Sequence, residues 1–132
     1  MIYMDASALV TWMSQRNHWS ALDAFLGDED RAGRPMATSS LGFVETTRTL
    51  DLMGTFPGAM GDLEGRVGEV LLTPEVRRSA AGLTGRLRTL DAIHVASALS
   101  LGESLTALVT YDKRMLDTAL AAGLPAYAPG MK

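Results

Sequence analysis

Short apolar runs alternate with segments of helical character along the chain, and this alternation constrains the fold more than any other feature. Runs at 1–4, 36–38, 69–73, 105–110 and 126–128 have the length and composition of strands. In the segments between them, apolar side chains recur three or four positions apart, which is typical of helices. Such a pattern predicts a parallel sheet with helices covering both faces.

Helices are predicted over 6–13, from His18 to Leu26, over 41–52, from Pro74 to Leu87, over 90–101 and over 112–122. The second of these is expected to end in a polar loop that starts at Gly27. Segment 53–68 holds five of the thirteen glycines, so it is either a broken helix or a mobile arm.

Length and composition exclude several classes of protein. The 132 residues suit one domain spanning 1–132, and 47% apolar with 20% charged residues is a globular composition. The absence of cysteine excludes disulfides, zinc–thiolate sites and thiol nucleophiles. No apolar run is long enough to cross a bilayer, and the first residues lack the basic segment of a secretory signal. We therefore expect a cytoplasmic protein.

The charge balance argues against a strongly basic nucleic-acid-binding surface. Twelve basic and fifteen acidic residues give a net charge of −3. Only Lys113 and Lys132 are lysines, and the other basic residues are arginines. This bias fits either a genome rich in G and C or recognition of phosphate by guanidinium groups.

Four acidic residues lie at the ends of apolar elements. Asp5 directly follows the first predicted strand, and Asp112 follows the 105–110 run. Glu45 lies one turn inside the helix after the second strand, and Asp91 opens the apolar helix that ends near 101. Ligands of parallel sheets bind beyond the carboxyl ends of the strands, so we expect these acids to meet at one edge.

Each acid also has an ordinary structural explanation. Aspartate is favoured at helix N-caps and in first turns, and Glu45 has Arg48 three positions on as an ion-pair partner. Carboxylates that converge repel one another, however, and a divalent cation removes that repulsion. A site without cysteine and with few histidines favours Mg²⁺ or Mn²⁺ over zinc, and such ions act mainly on phosphates.

Four segments together resemble the PIN domain family. They are Met-Asp-Ala-Ser-Ala-Leu-Val at 4–10, the helical Glu-x-x-Arg at 45–48, Leu-Arg-Thr-Leu-Asp-Ala-Ile-His-Val-Ala-Ser-Ala at 87–98 and Leu-Val-Thr-Tyr-Asp-Lys-Arg-Met at 108–115. Within the family, the chain is most similar to the small VapC-type toxins of prokaryotic toxin–antitoxin pairs. The resemblance covers residues 1 to about 128, and 87–98 is its most specific part. Segment 53–68 departs from it, being richer in glycine and methionine.

The resemblance implies an α/β/α sandwich, with a central, mainly parallel sheet of about five short strands. It also implies an endoribonuclease that depends on Mg²⁺, with Mn²⁺ able to substitute. The catalytic and metal-binding acids would be Asp5, Glu45, Asp91 and Asp112. Ser7 and Thr110 would orient carboxylates or water. Metal-activated water would cut an RNA phosphodiester bond and leave 5′-phosphate and 3′-hydroxyl ends.

The same resemblance implies partners. A cognate VapB-type antitoxin would cover the acidic site, and the toxin would form a homodimer. The substrate would be a single-stranded loop of transfer or ribosomal RNA.

Other residues near the acids have two interpretations each. Arg48 and Arg88 would contact phosphate or pair with nearby carboxylates. His94 lies three residues after Asp91 on the same helix face, so it would touch the site or, as we interpret it, be a hydrogen-bonded core histidine. Two other functions stay open: a catalytically silent PIN-fold binding module, and another metal-dependent phosphoryl-transfer hydrolase on an open α/β sheet.

Overall fold

A computed structural model describes residues 1–131 and contains one five-stranded sheet. The strands are β1 (Ile2–Met4), β2 (Met36–Ser39), β3 (Val67–Val70), β4 (Ala107–Val109) and β5 (Ala126–Tyr127). They lie in the order β3-β2-β1-β4-β5, and every neighbouring pair is parallel. The predicted sheet is therefore confirmed, and it is wholly rather than mainly parallel.

Helices cover both faces of this sheet. They are α1 (Ala6–Ser14), α2 (Trp19–Arg31), α3 (Ser40–Met53), α4 (Ala59–Arg66), α5 (Pro74–Gly82), α6 (Thr89–Ser100) and α7 (Lys113–Ala121), with a 3₁₀ turn (Gly102–Ser104) before β4. None of the helices in residues 1–131 combines the length and apolar character needed to span a bilayer.

The two faces of β1 enter two separate cores, because successive side chains of a strand point in opposite directions. Ile2 and Met4 join the core formed with the first four helices. Tyr3 joins the core on the opposite face, with Ala98 of α6 and Ala119 of α7. β1 is thus a central strand covered by helices on both sides, as expected for an α/β/α sandwich.

The third strand lies two to three residues earlier than predicted. It pairs with β2 from Met36 opposite Val67 to Ser39 opposite Val70. Pairing stops there because Ser39 caps α3, and the next residue of the chain already belongs to that helix. Leu71 and Leu72, which the sequence pattern placed in the strand, are exposed instead.

Other helix boundaries also differ from prediction, and α5 ends at Gly82 instead of Leu87. α2 continues past Gly27 to Arg31, where the side chain of Arg31 pairs with Asp28 one turn earlier. In segment 53–68, α3 ends at Met53 and α4 begins at Ala59. The segment is therefore a broken helix, the first of the two alternatives.

α3 packs closely on β2 through a glycine. The hydroxyl of Ser39 accepts a hydrogen bond from the Gly42 N–H at 3.1 Å, which caps the helix. A Cβ atom at Gly42 would lie 2.1 Å from Oγ1 and 3.0 Å from Cγ2 of Thr38. This close approach sets the position of α3 above the sheet, and Glu45 lies one turn further along it.

Candidate active site

The carboxyl ends of β1 and β4 lie side by side and carry three of the predicted site residues. Met4 is paired with Val109, and the Asp5 N–H donates to the Val109 carbonyl at 3.3 Å. Asp5 therefore lies next to Thr110, with Asp112 two residues further on. The parallel register alone brings positions 5 and 112 together.

Asp5 is buried, with 2% of its surface exposed, and both of its carboxylate oxygens accept hydrogen bonds. Oδ1 accepts from the Ser7 hydroxyl at 2.6 Å and from the Ala8 N–H at 2.9 Å. Oδ2 accepts from the Thr110 hydroxyl at 2.6 Å. Burial raises the pKa of Asp5 above its ordinary value, and it outweighs the opposing effects of His94 and of these donors.

Ser7 and Thr110 each link Asp5 to the chain after β4. The Ser7 oxygen accepts the Tyr111 N–H at 2.9 Å, while Thr110 Oγ1 accepts the Asp112 N–H at 3.0 Å. Each hydroxyl thus donates a hydrogen bond to Asp5 and accepts one from a backbone N–H of the segment that leads into α7. The two side chains hold the ends of β1 and β4 in a fixed relation.

Asp112 and Asp91 lie at the N-terminal ends of two helices, but only Asp112 caps its helix. Asp112 Oδ1 accepts from the N–H groups of Arg114 and Met115 at 2.9 and 3.3 Å. Asp91 lies in the first turn of α6, where it complements the helix dipole, and it is 5% exposed. The expectation that Asp91 opens the helix is off by two residues, since α6 begins at Thr89.

Arg88 bridges these two acids. Its Nε donates to Asp91 Oδ2 at 3.2 Å, and its Nη2 lies 3.7 Å from Asp112 Oδ2. The carboxylate of Asp91, followed by that of Asp112, raises the pKa of Arg88. The side chain is 75% exposed, so solvent screens both contacts.

Glu45 pairs with His94 and not with Arg48, the arginine three positions further along its own helix. Its Oε1 lies 2.6 Å from Nε2 of His94. Arg48 lines a shallow apolar groove beside Glu45, together with Leu52 and Leu90. Within residues 1–131, no ion pair joins Arg48 to Glu45, so the surface-pair explanation of Glu45 is wrong.

Carboxylates are the ligands that Mg²⁺ and Mn²⁺ prefer. In the described part of the chain, however, no three His, Asp or Glu side chains are arranged to hold an ion together. One oxygen of Glu45 contacts His94, and the guanidinium of Arg88 lies between Asp91 and Asp112. In chemical type, the carboxylate oxygens of these acids fit a divalent cation.

Sequence reasoning missed the contact that His94 makes. We interpreted His94 as a core residue; it is buried, but it also reaches the Glu45 carboxylate. Its place three residues after Asp91, one turn along the same helix face, was the signal that could have found it.

Comparisons with known proteins identify the family of the chain. The model of the PIN domain family matches residues 2–120. The chain is 36% identical to Ribonuclease VapC47 of Mycobacterium tuberculosis (strain CDC 1551 / Oshkosh) over 134 residues, with 98% of each chain covered. It is 35% identical to Ribonuclease VapC46 of Mycobacterium tuberculosis (strain ATCC 25618 / H37Rv), with 97% of each covered.

A solved structure shows the same fold. The crystal structure of Mycobacterium tuberculosis VapC20, described as a sarcin-ricin loop cleaving toxin, superposes with a TM-score of 0.73 at 16% identity. The superposition covers 98% of this chain and 100% of that one. From the family match, the full-length identity and the shared fold, we conclude that the chain belongs to the PIN domain family and, within it, to the VapC-type ribonucleases.

Proposed function

We propose that the chain is a Mg²⁺- or Mn²⁺-dependent endoribonuclease toxin whose site consists of Asp5, Glu45, Asp91 and Asp112. One observation carries the proposal, in a chain that belongs to a ribonuclease family: polar contacts at one sheet edge link Asp5, Asp112 and Asp91. Glu45 contacts His94 of the helix that carries Asp91. Residues 1–132 would act as one domain in the cytoplasm.

A bound divalent cation would neutralise the carboxylates and the phosphate and would lower the pKa of a nearby water molecule. The protein's own contribution is orientation. Ser7 holds Oδ1 of Asp5, and Thr110 holds Oδ2. The backbone of α7 holds Oδ1 of Asp112 and leaves Oδ2 to face the site.

Arginine supplies the contacts to RNA in this proposal. When Arg88 leaves the carboxylates, its guanidinium lies beside the site and donates to a phosphate oxygen of the substrate. Arg48, one turn after Glu45, contacts a neighbouring phosphate. The substrate is a single-stranded loop of transfer or ribosomal RNA, since unstacked bases leave the backbone accessible to a narrow site.

The proposed partner is a VapB-type antitoxin that covers the acids. Exposed apolar side chains beside Glu45 support this partner, because they offer a surface next to the site. They include Val44, Leu52 and Leu90. The proposal also includes a homodimer.

The first prediction tests the proposed activity with Asp91→Asn. This change removes a charge from the site and keeps the size of the side chain, so RNA cleavage should fall by more than about 100-fold. Cleavage of total RNA with Mg²⁺ and with EDTA, followed by mapping of new 5′ ends, measures the effect.

Asp51→Asn is the matched control, because Asp51 is exposed on α3 outside the site. It should cut as the wild type does. Cleavage by Asp91→Asn at the wild-type rate, or wild-type cleavage in EDTA, would contradict the proposal. A wild type that neither cuts RNA nor binds Mn²⁺ would favour the silent binding module.

A further inference from the structure

His94 of α6 is buried between two polar partners on different elements. Its Nε2 lies 2.6 Å from Glu45 Oε1, and its Nδ1 lies 2.6 Å from the hydroxyl of Tyr3 in β1. That hydroxyl in turn accepts the Ser39 N–H at 3.1 Å, at the end of β2. Only 2% of the surface of His94 is exposed, so each ring nitrogen depends on these partners for its hydrogen bond.

The contacts assign one tautomer to the ring. A carboxylate can only accept, so Nε2 must carry the hydrogen that faces Glu45. Burial raises the pKa of Tyr3 to about 12, so its hydroxyl keeps its proton and donates it to Nδ1. The ring therefore donates toward Glu45 and accepts from Tyr3.

The resulting chain of hydrogen bonds returns to the helix that carries Glu45. It runs from the Ser39 backbone through Tyr3 and His94 to Glu45. Ser39 is the N-cap of α3, and Glu45 is the sixth residue of that helix. Both ends of this series of hydrogen bonds are thus fixed to α3, and its middle passes through β1 and α6.

We propose that His94 is a positioning residue that holds the Glu45 carboxylate at the orientation in which the site binds its divalent cation. The proposal rests on the proposed function, because it assumes that Glu45 is a ligand. Glutamate has three rotatable side-chain bonds, so without an anchor its carboxylate would sample several positions. His94 fixes Oε1, leaves Oε2 free, and ties Glu45 to the helix that carries Asp91.

A histidine that only fills the core would not act in this way. It would contribute to stability, but its removal would leave the affinity for metal unchanged. Metal binding by the free protein therefore separates the two roles without any need for RNA.

The test measures Mn²⁺ binding by calorimetry for wild type, His94→Ala and His94→Gln. Loss of an anchor behind a ligand typically lowers metal affinity by about 10- to 100-fold, which we expect for His94→Ala. Glutamine carries an N–H donor at nearly the same distance from the backbone as Nε2. His94→Gln should therefore recover part of the affinity, and it serves as the folded variant if the alanine variant fails to fold.

Two further variants show whether His94 acts through Glu45. In a Glu45→Ala background, His94→Ala should cause no additional loss of Mn²⁺ affinity, because the carboxylate that it anchors is already gone. Val95→Ala is the control for damage to the core, since Val95 is the next residue of α6 and is fully buried. It should lower the melting temperature and leave the Mn²⁺ affinity unchanged.

The outcomes separate this inference from the proposed function. Wild-type affinity in both His94 variants, or additive losses for His94→Ala and Glu45→Ala, would overturn the role of His94 alone. Failure of the wild type to bind Mn²⁺ or cut RNA would overturn the proposed function together with it.

Discussion

The four acids are not equivalent, because each is held by a different part of the chain. Asp5 is buried and both of its oxygens accept hydrogen bonds, whereas Asp91 pairs with the exposed guanidinium of Arg88. Glu45 depends on a single histidine. A buried, charged carboxylate with no bound cation destabilises the folded state. Among the four acids, we therefore expect Asp5 to reduce the stability of the fold most.

The second prediction concerns Asp5→Asn in the presence of a chelator. The folded protein binds the Asp5 proton more tightly than the unfolded chain, because burial raises its pKa above the ordinary 3.8. The stability that this group contributes is present below that value and is lost as pH rises through the folded pKa. Asparagine carries no charge and caps α1 equally well, so the variant should be more stable than wild type near neutral pH.

Urea unfolding at about pH 7 and at about pH 4 measures the effect. The difference between Asp5→Asn and wild type should shrink at the lower pH, where wild-type Asp5 is increasingly protonated. Asp51→Asn, on the surface, should show no such difference. If Asp5→Asn were less stable than wild type at neutral pH, burial of the Asp5 carboxylate would not be what lowers the stability of the wild type.

Some of these residues could be predicted from sequence and others could not. Asp5 and Asp112 follow apolar strands, and neighbouring parallel strands end at the same edge. The pairing of Arg88 with Asp91, three residues on, was one of the two interpretations that the sequence offered for Arg88. The partner of Glu45 was not predicted, because it depends on how α3 and α6 are rotated above the sheet. Helical spacing shows which residues share a face of a helix. It does not show which other element packs against that face.

At the scale of elements, the separation between α3 and β2 controls where Glu45 lies. Gly42 allows the helix to approach Thr38 within a distance that no side chain would permit. The apolar pattern predicted the helix over 41–52, but it did not reveal this close approach. The misplaced third strand has a similar cause: Leu71 and Leu72 have strand-like composition but no partner beyond the end of β2.

The third prediction is that Gly42→Ala moves α3 away from the sheet. The new methyl would overlap Thr38, so the free energy of unfolding should fall by about 1–3 kcal/mol. Because Glu45 moves with α3, Mn²⁺ affinity should fall as well. Denaturant unfolding and calorimetry measure the two effects.

Gly61→Ala is the matched control for this prediction. Gly61 lies within α4 with open space around its Cα, so alanine should stabilise the protein by about 0.5–1 kcal/mol and leave Mn²⁺ affinity unchanged. An unchanged stability in Gly42→Ala would show that α3 is free to shift on the sheet.

At the scale of the whole molecule, the net charge of −3 includes the four acids of the proposed site. Setting them aside leaves eleven acidic residues against twelve basic ones, a nearly neutral remainder. Such a surface attracts RNA only weakly without specific contacts. Recognition would then depend on arginines beside the site and on the shape of the RNA.

The fourth prediction is that Mg²⁺ or Mn²⁺ stabilises the folded protein. A cation that binds only the folded state adds about 2.7 kcal/mol at a concentration one hundred times its Kd. The melting temperature should therefore rise with added Mn²⁺ and fall back with EDTA, as followed by circular dichroism. Asp91→Asn should show little of this rise, and an equal rise in that variant would place the cation elsewhere.

The position of β1 in the middle of the sheet has a consequence during synthesis. β1 needs β4 as a neighbour, and β4 lies about a hundred residues later in the chain. Contacts of such long sequence separation form late and slowly. The acids of the site extend from position 5 to position 112, so a growing or prematurely ended chain carries the first carboxylate without the last. Under the proposed function, fragments from interrupted translation would therefore lack nuclease activity.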